Sequence, residues 1–169
     1  MRSASLVLSL LIGCGTDAPP VGVPTDAPVD EELPLVDDQS PPVTHTELVP
    51  WLADGAYQTW ACEAEAHPAR PPGAHGSNRI CSNQLLSQSA DGRFPIGAAS
   101  VKELVRGGEV TGYAVMRKLA DTGAAGDWYW YEAFGDSVVA EGRSPGICTG
   151  CHSSAPRDFI FTRVEAIDP

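Results

Sequence analysis

The sequence predicts an α+β domain that consists mainly of an antiparallel β-sheet with a few helices. Ala99, Val101, Glu103 and Val105 recur at every second position around Lys102, which is the period of a strand. Gly107-Gly108 then favours a tight turn into a second extended run at 110–118. Adjacent aromatic residues at 128–131 indicate a third strand, because neighbouring side chains supply both faces of a sheet.

Two short helices are predicted ahead of these strands. Thr46 is expected to cap the first helix, whose apolar positions include Leu52 and continue at helical spacing towards Trp60. Asn83 is expected to cap the second helix, which should end near Gly92 because glycine interrupts helices.

The start of the chain has the pattern of an export signal. Met1 and Arg2 give a positive start, and 6–12 is an apolar run that is too short to span a bilayer. The sequence Leu-Ile-Gly-Cys that ends at Cys14 is similar to a bacterial lipoprotein cleavage box. Residues 1–13 are therefore predicted to be a lipoprotein-type signal peptide, and Cys14 is predicted to carry the lipid. The alternative is an ordinary secretory signal with a chance cysteine.

The next segment, 14–43, is predicted to be a disordered, acidic, Pro-rich tether. It shows no sustained period and has too little apolar surface to offset the entropy of ordering. The folded domain is then expected at 44–169. A net charge of −11 argues against a nucleic-acid partner, which would require a basic face. We expect a periplasmic protein held at a bacterial membrane, the outer one, by its lipid anchor alone.

The pentapeptide 148–152 (Cys-Thr-Gly-Cys-His) has the attachment signature of a c-type haem. The thiols of Cys148 and Cys151 would form thioethers to one covalent haem c, and His152 would ligate the iron as an axial ligand. We expect the motif to open a short helix and 158–164 to be extended. The alternatives are a redox dithiol and half of a zinc site, although no second ligand pair has zinc spacing.

Two of the five cysteines, Cys62 and Cys81, remain after these assignments. An even pair in an oxidising compartment predicts a disulfide between them. A free reactive thiol is the alternative.

Several blocks of the chain, from about Tyr57 to Arg163, resemble in order and spacing those of the cytochrome P-460 family. The blocks are Asn78-Arg79 with nearby Asn83, Gly97 to Leu104, Val115 to Lys118, Gly126 to Tyr129, Cys148 to His152, and Asp158 to Arg163.

The resemblance implies a mainly β domain with one c-type haem per subunit, commonly in a dimer. Characterised members oxidise hydroxylamine and pass electrons onward, which here would require a soluble redox partner. A related branch, cytochrome c-prime-beta, binds nitric oxide and carbon monoxide without that activity. Two classes of function stay open. One is a hydroxylamine-type oxidoreductase with an open distal site, and the other is a nitric-oxide-binding or plain electron-transfer cytochrome.

The resemblance also implies roles for three residues. Lys102 matches a lysine that is linked to a haem meso carbon, and Arg79 matches a distal arginine that assists a bound ligand. Tyr113 lies on the strand that shapes the distal face in the family. Considered alone, Lys102 would be a solvent-facing strand residue, Arg79 would form a surface ion pair, and Tyr113 would be ordinary core.

Other candidate ligands are supported less directly. Met116 could ligate iron, but a methionine in a strand is usually a packing residue. His67 and His75 lie in a Pro/Gly-rich loop, where either could be a sixth ligand or simply solvated. His45 is expected to belong to the tether.

Overall fold

The computed structural model describes residues 40–166. The predicted signal peptide, the lipid-bearing Cys14 and most of the predicted tether lie outside the described residues. None of the helices in the described part of the chain is long and apolar enough to cross a membrane.

The domain contains a six-stranded antiparallel sheet in which consecutive strands are neighbours, with three α-helices outside it. The strands are β1 (Ala61–Cys62), β2 (Ser77–Ser82), β3 (Ala99–Arg106), β4 (Glu109–Lys118), β5 (Trp128–Phe134) and β6 (Ser137–Arg143). The helices are α1 (His45–Asp54), α2 (Gln84–Ser87) and α3 (Gly146–His152), and 3-10 turns occupy Ala56–Thr59 and Ala125–Asp127. The predicted α+β class with an antiparallel sheet is confirmed.

Helix α1 begins earlier and ends earlier than predicted. Its N-cap is Thr44 rather than Thr46, and the Thr44 hydroxyl donates to the Glu47 carboxylate at 2.8 Å instead of capping a backbone amide. Gly55 ends the helix in the left-handed region with φ 69°, so the helix does not continue to Trp60.

Two other predicted elements differ from the structure. Asn83 caps α2 as predicted, because its side chain accepts a hydrogen bond from the Leu86 amide, but α2 ends at Ser87. The expected extended piece at 158–164 is not a strand. It contains one isolated bridge, between Arg157 and Ile160, and two residues with positive φ.

Contacts with the folded domain begin before residue 44. Pro41 is buried, and its carbonyl accepts a hydrogen bond from the Arg117 guanidinium at 2.9 Å. His45, which the sequence assigned to the tether, is the first residue of α1, and its Nδ1 lies 2.9 Å from the Tyr131 hydroxyl.

The two faces of the sheet have different coverings. On the first, which we call the packed face, α1 and the 3-10 turn that follows it cover a core that includes Leu48, Tyr57, Val101 and Tyr131. On the second, the open face, residues of α2 and of the chain after α3 cover only part of the surface, and the covered part forms another core. The buried members of this second core are Leu86, Phe94, Ala98, Met116, Trp128, Trp130 and Ile160.

Cys62 and Cys81 are joined by a disulfide, which is the predicted pair. They are directly opposed in the pairing of β1 with β2. Cys81 is fully buried on the packed face, so the disulfide ties the short edge strand β1 to the core of the domain.

Candidate functional site

The uncovered part of the open face forms a cavity of about 280 Å³. The sheet provides one wall, the loop between β1 and β2 a second, and α3 with the chain that follows it a third. Side chains with chemically active groups around it are Arg70, His75, Lys102, Glu132, Cys148, Cys151 and His152. The largest apolar side chains are Ile80, Met116, Trp130, Ile147, Ile160 and Phe161.

The motif 148–152 forms most of α3, the short helix that was predicted there, and both of its cysteines border the cavity. Neither Cys148 nor Cys151 forms a disulfide. Burial, with a smaller contribution from the charge of Glu132, raises the pKa of Cys148 to about 11, so this thiol stays protonated. Cys151 is exposed, so its sulfur is accessible from solvent.

His152 ends the helix and has a defined tautomer. Its Nδ1 lies 2.7 Å from the Phe159 carbonyl, and because a carbonyl only accepts, Nδ1 carries the proton. Nε2 then has the lone pair that a metal ion requires. Burial lowers the pKa of His152 and so favours the neutral ring. The hydrogen bond to Phe159 acts in the opposite direction but has the smaller effect. Trp130 and Phe161 contact the ring edge-on, with centroids at 5.0 and 5.3 Å.

A buried ion pair holds the segment that presents the Phe159 carbonyl. Asp158 and Phe159 have φ of 44° and 67°, a region that non-glycine residues rarely adopt. The Asp158 carboxylate binds Lys118, whose side chain is 0% exposed, and also accepts from the Phe94 amide at 2.9 Å. These contacts stabilise the strained turn, so Lys118 is a positioning residue for His152.

Lys102 borders the same cavity from the middle of β3. It is opposed by Ala114 on β4, which is opposed by Glu132 on β5, so all three lie on the open face. Among the described residues, its amine forms no hydrogen bond or ion pair. Burial lowers the pKa of Lys102, although the charge of Glu132 partly opposes this effect. A desolvated amine of this kind is a better nucleophile than a solvated one.

The loop between β1 and β2 brings a second imidazole to the cavity. His75 has a side chain that is 19% exposed, and its Nδ1 lies 3.4 Å from the Glu132 carboxylate. The centre of its ring is 6.3 Å from that of His152. Sequence reasoning did not single out Glu132. Glu132 lies two residues after Trp130 and so on the same side of the strand, and this spacing could have indicated that it borders the cavity.

Arg79 and Tyr113 are not brought to the cavity. Residues alternate between faces along a strand, and both lie on the packed face. Arg79 lies 3.3 Å from Glu103, which also accepts from the Tyr57 hydroxyl at 2.8 Å. Tyr113 packs edge-on against Tyr57. Their expected distal roles therefore have no support in this arrangement.

Of the two remaining candidate ligands, Met116 lies at the cavity and His67 lies in the loop away from it. Met116 borders the cavity and packs in the core of the open face. His67 does not border it, and both ring nitrogens have partners, the Pro68 carbonyl at 2.7 Å and the Glu63 carboxylate at 2.9 Å. Within residues 40–166, no group of three or more His, Cys, Asp or Glu side chains could hold a metal ion by itself.

Comparisons with protein-family models, curated proteins and solved structures found no match for this chain. The resemblance to the cytochrome P-460 family stays a prediction from the sequence blocks.

Proposed function

We propose that the chain is a mono-haem c-type cytochrome that binds or oxidises a small nitrogen species, such as hydroxylamine or nitric oxide. Cys148 and Cys151 would hold the haem covalently, and His152 would ligate its iron. The observation that carries this proposal is that these three residues and the distant Lys102 border one cavity.

The side chains that border the cavity are chemically suited to hold a c-type haem. Two free thiols can form thioethers, and a neutral imidazole with its proton on Nδ1 offers Nε2 to iron. Large apolar side chains, among them Trp130 and Phe161, surround these donors and suit a flat hydrocarbon macrocycle. The haem supplies one-electron redox chemistry and an axial position for a small ligand.

The position of Lys102 favours an enzyme of the hydroxylamine-oxidising type. Its amine is partly desolvated and unpaired among the described residues, and Lys102 lies on the open face of the sheet, beside the cavity that His152 borders from α3. The family resemblance implies that Lys102 is the residue linked to the macrocycle, and the position of its amine on the open face is compatible with that role. Glu132, on the same face, could accept a proton from a bound substrate.

A second candidate is a nitric-oxide-binding or electron-transfer cytochrome without catalytic activity. The observation that favours it is the orientation of Arg79, whose guanidinium pairs with Glu103 away from the cavity. The guanidinium that does border the cavity, Arg70, is bound to Glu63 at 2.6 Å. A bound ligand would therefore lack the arginine assistance expected for the enzyme.

The proposal includes a location and partners. The export signal and Cys14 favour a periplasmic protein that is anchored through lipid to the outer membrane. Electrons would pass to or from a soluble redox partner, and a homodimer is compatible with the family resemblance.

Haem attachment can be tested by producing the full chain with a cytochrome c maturation system. After acid–acetone extraction, the pigment should stay with the wild-type protein and be lost to the solvent in a Cys148→Ser/Cys151→Ser variant. A Cys62→Ser/Cys81→Ser variant is the matched control and should keep its pigment. Extraction of all colour from the wild-type protein would contradict the proposal.

Peptide mapping and hydroxylamine turnover separate the two candidates. For the enzyme, a tryptic haem peptide should join the segment of Lys102 to that of Cys148–His152, and Lys102→Arg should remove this species and lower turnover. If the wild-type map already lacks the joined peptide and hydroxylamine is not oxidised, the non-catalytic candidate is the correct one.

A further inference from the structure

The position of His75 is not explained by the proposed attachment of the haem. Its loop runs from β1 to β2 and is rich in proline and glycine, yet the His75 side chain is only 19% exposed. His75 borders the cavity that His152 also borders. Among the described residues, no hydrogen bond joins the two rings, although their centres are 6.3 Å apart.

The two imidazoles have the same pattern of partners. In each ring Nδ1 lies near an oxygen acceptor, the Phe159 carbonyl for His152 and the Glu132 carboxylate for His75. In each ring Nε2 forms no hydrogen bond within the described part of the chain. Histidines that ligate metals usually have this arrangement, because an acceptor at one nitrogen directs the lone pair of the other to the metal.

The ring separation agrees with coordination of one metal ion by both rings. Two imidazoles on opposite sides of one metal ion, each bound through a metal–nitrogen bond of about 2 Å, have ring centres about 6 Å apart. A direct hydrogen bond between the rings would bring the centres closer. We propose that His75 is the second axial ligand of the haem iron, so that the resting iron is six-coordinate with His152 and His75. This inference rests on the proposed haem site.

The neighbouring side chains support His75 over other ligands. His67 lies in the same loop, but both of its nitrogens are occupied and it does not border the cavity. Met116 packs among Phe94 and Trp128 in the core of the open face. Glu132 is then a positioning residue, since its carboxylate orients the His75 ring from β5.

A ligand carried by a loop has a functional consequence. A small nitrogen species can reach the iron only by displacing His75, so the loop controls access to the site. Among the described residues, His75 forms no backbone hydrogen bond to the sheet or to α3, so movement of this part of the loop would leave these elements and the His152 contacts in place. Ligand binding would therefore be slow and would depend on how easily the loop opens.

Absorption and electron paramagnetic resonance spectra of the full haem-loaded chain test this inference. We expect a low-spin, six-coordinate resting ferric state in the wild type. His75→Ala should convert it to a high-spin state and accelerate the binding of carbon monoxide to the ferrous protein by at least tenfold, and added imidazole should restore the low-spin spectrum. His67→Ala, from the same loop, should leave spin state and binding rate unchanged.

The outcomes distinguish the inference from the haem proposal. Covalent haem together with a high-spin wild-type spectrum, or a low-spin spectrum that His75→Ala does not change, would overturn the role of His75 and leave the haem site intact. A protein without covalent haem would refute the haem site itself. If His75→Ala does not fold, the wild-type spin state decides whether a sixth ligand exists, and His75→Met, which keeps a ligand with a different spectrum, identifies its source.

Discussion

The two faces of the sheet differ in whether their ionisable side chains have partners. On the packed face, Glu103 accepts from the Tyr57 hydroxyl and pairs with Arg79, so the polar atoms there satisfy one another. On the open face, the amine of Lys102, one residue earlier in the same strand, lies beside the cavity and has no hydrogen-bond or ion-pair partner within residues 40–166. Partnered groups serve stability, whereas unpartnered ones retain the capacity to react.

The open face nevertheless contains a buried ion pair, between Lys118 and Asp158, which gives the largest expected effect. Lys118 is 0% exposed and its partner Asp158 is 2% exposed. Lys118→Met should lower the free energy of unfolding by about 4 kcal/mol, because it leaves a carboxylate buried without its cation. It should also alter the haem spectrum, since Asp158 precedes the residue whose carbonyl orients His152. Chemical denaturation and absorption spectra measure the two effects.

Arg93 offers a matched control, because it binds the same Asp121 carboxylate that Lys118 contacts but is 53% exposed. Arg93→Met should lower the free energy of unfolding far less than Lys118→Met and leave the spectrum unchanged, because solvent screens an exposed ion pair. Equal losses for the two variants would show that burial of the Lys118 pair does not matter.

The packed face gives a smaller effect of a different kind. Glu103→Ala should lower the free energy of unfolding by about 2 kcal/mol, because it removes the acceptor of the buried Tyr57 hydroxyl and the partner of Arg79. The haem spectrum and ligand binding should not change, since these residues are on the side away from the cavity. Glu109→Ala, at the start of β4, is an exposed control. A spectral change in Glu103→Ala would contradict the separation of the two faces.

The elements that could be predicted from the sequence are those with a strong local pattern. The alternation at 99–105, the Gly107-Gly108 turn and the aromatic run of β5 each indicate strands without reference to the rest of the chain. Strand β2 has the mixed sequence Ser-Asn-Arg-Ile-Cys-Ser, which shows no clean alternation. Its place in the sheet depends on pairing with β3 and on the disulfide, both of which are long-range.

The candidate site was predictable only in part, because a one-residue step along a strand changes the face. Lys102 and Arg79 were expected together, but β2 pairs with β3 so that Arg79 opposes Glu103. Directly opposed residues share a face, and Lys102 therefore lies on the other one. The approach of His75 to His152 depends on the path of a Pro/Gly-rich loop, for which the local sequence carries no such pattern.

The smallest expected effect concerns Asp121, which binds Lys118 from the solvent side. The Arg93 guanidinium and then Lys118 lower the pKa of this carboxyl from 3.8 to about 2. A folded-state pKa below the unfolded value means that the unfolded chain binds more protons, so this contribution to stability is present above pH 3.8 and is lost as the pH falls through about 2. Asp121→Asn should therefore lower the unfolding midpoint slightly near neutral pH and approach the wild type near pH 2. Because the carboxyl is 45% exposed, salt should reduce the difference.

Thermal unfolding across this pH range measures the difference, with Asp136→Asn in the β5–β6 turn as the control. A difference between wild type and Asp121→Asn that does not vary with pH would mean that the ion pairs of Asp121 contribute nothing to the anchoring of Lys118.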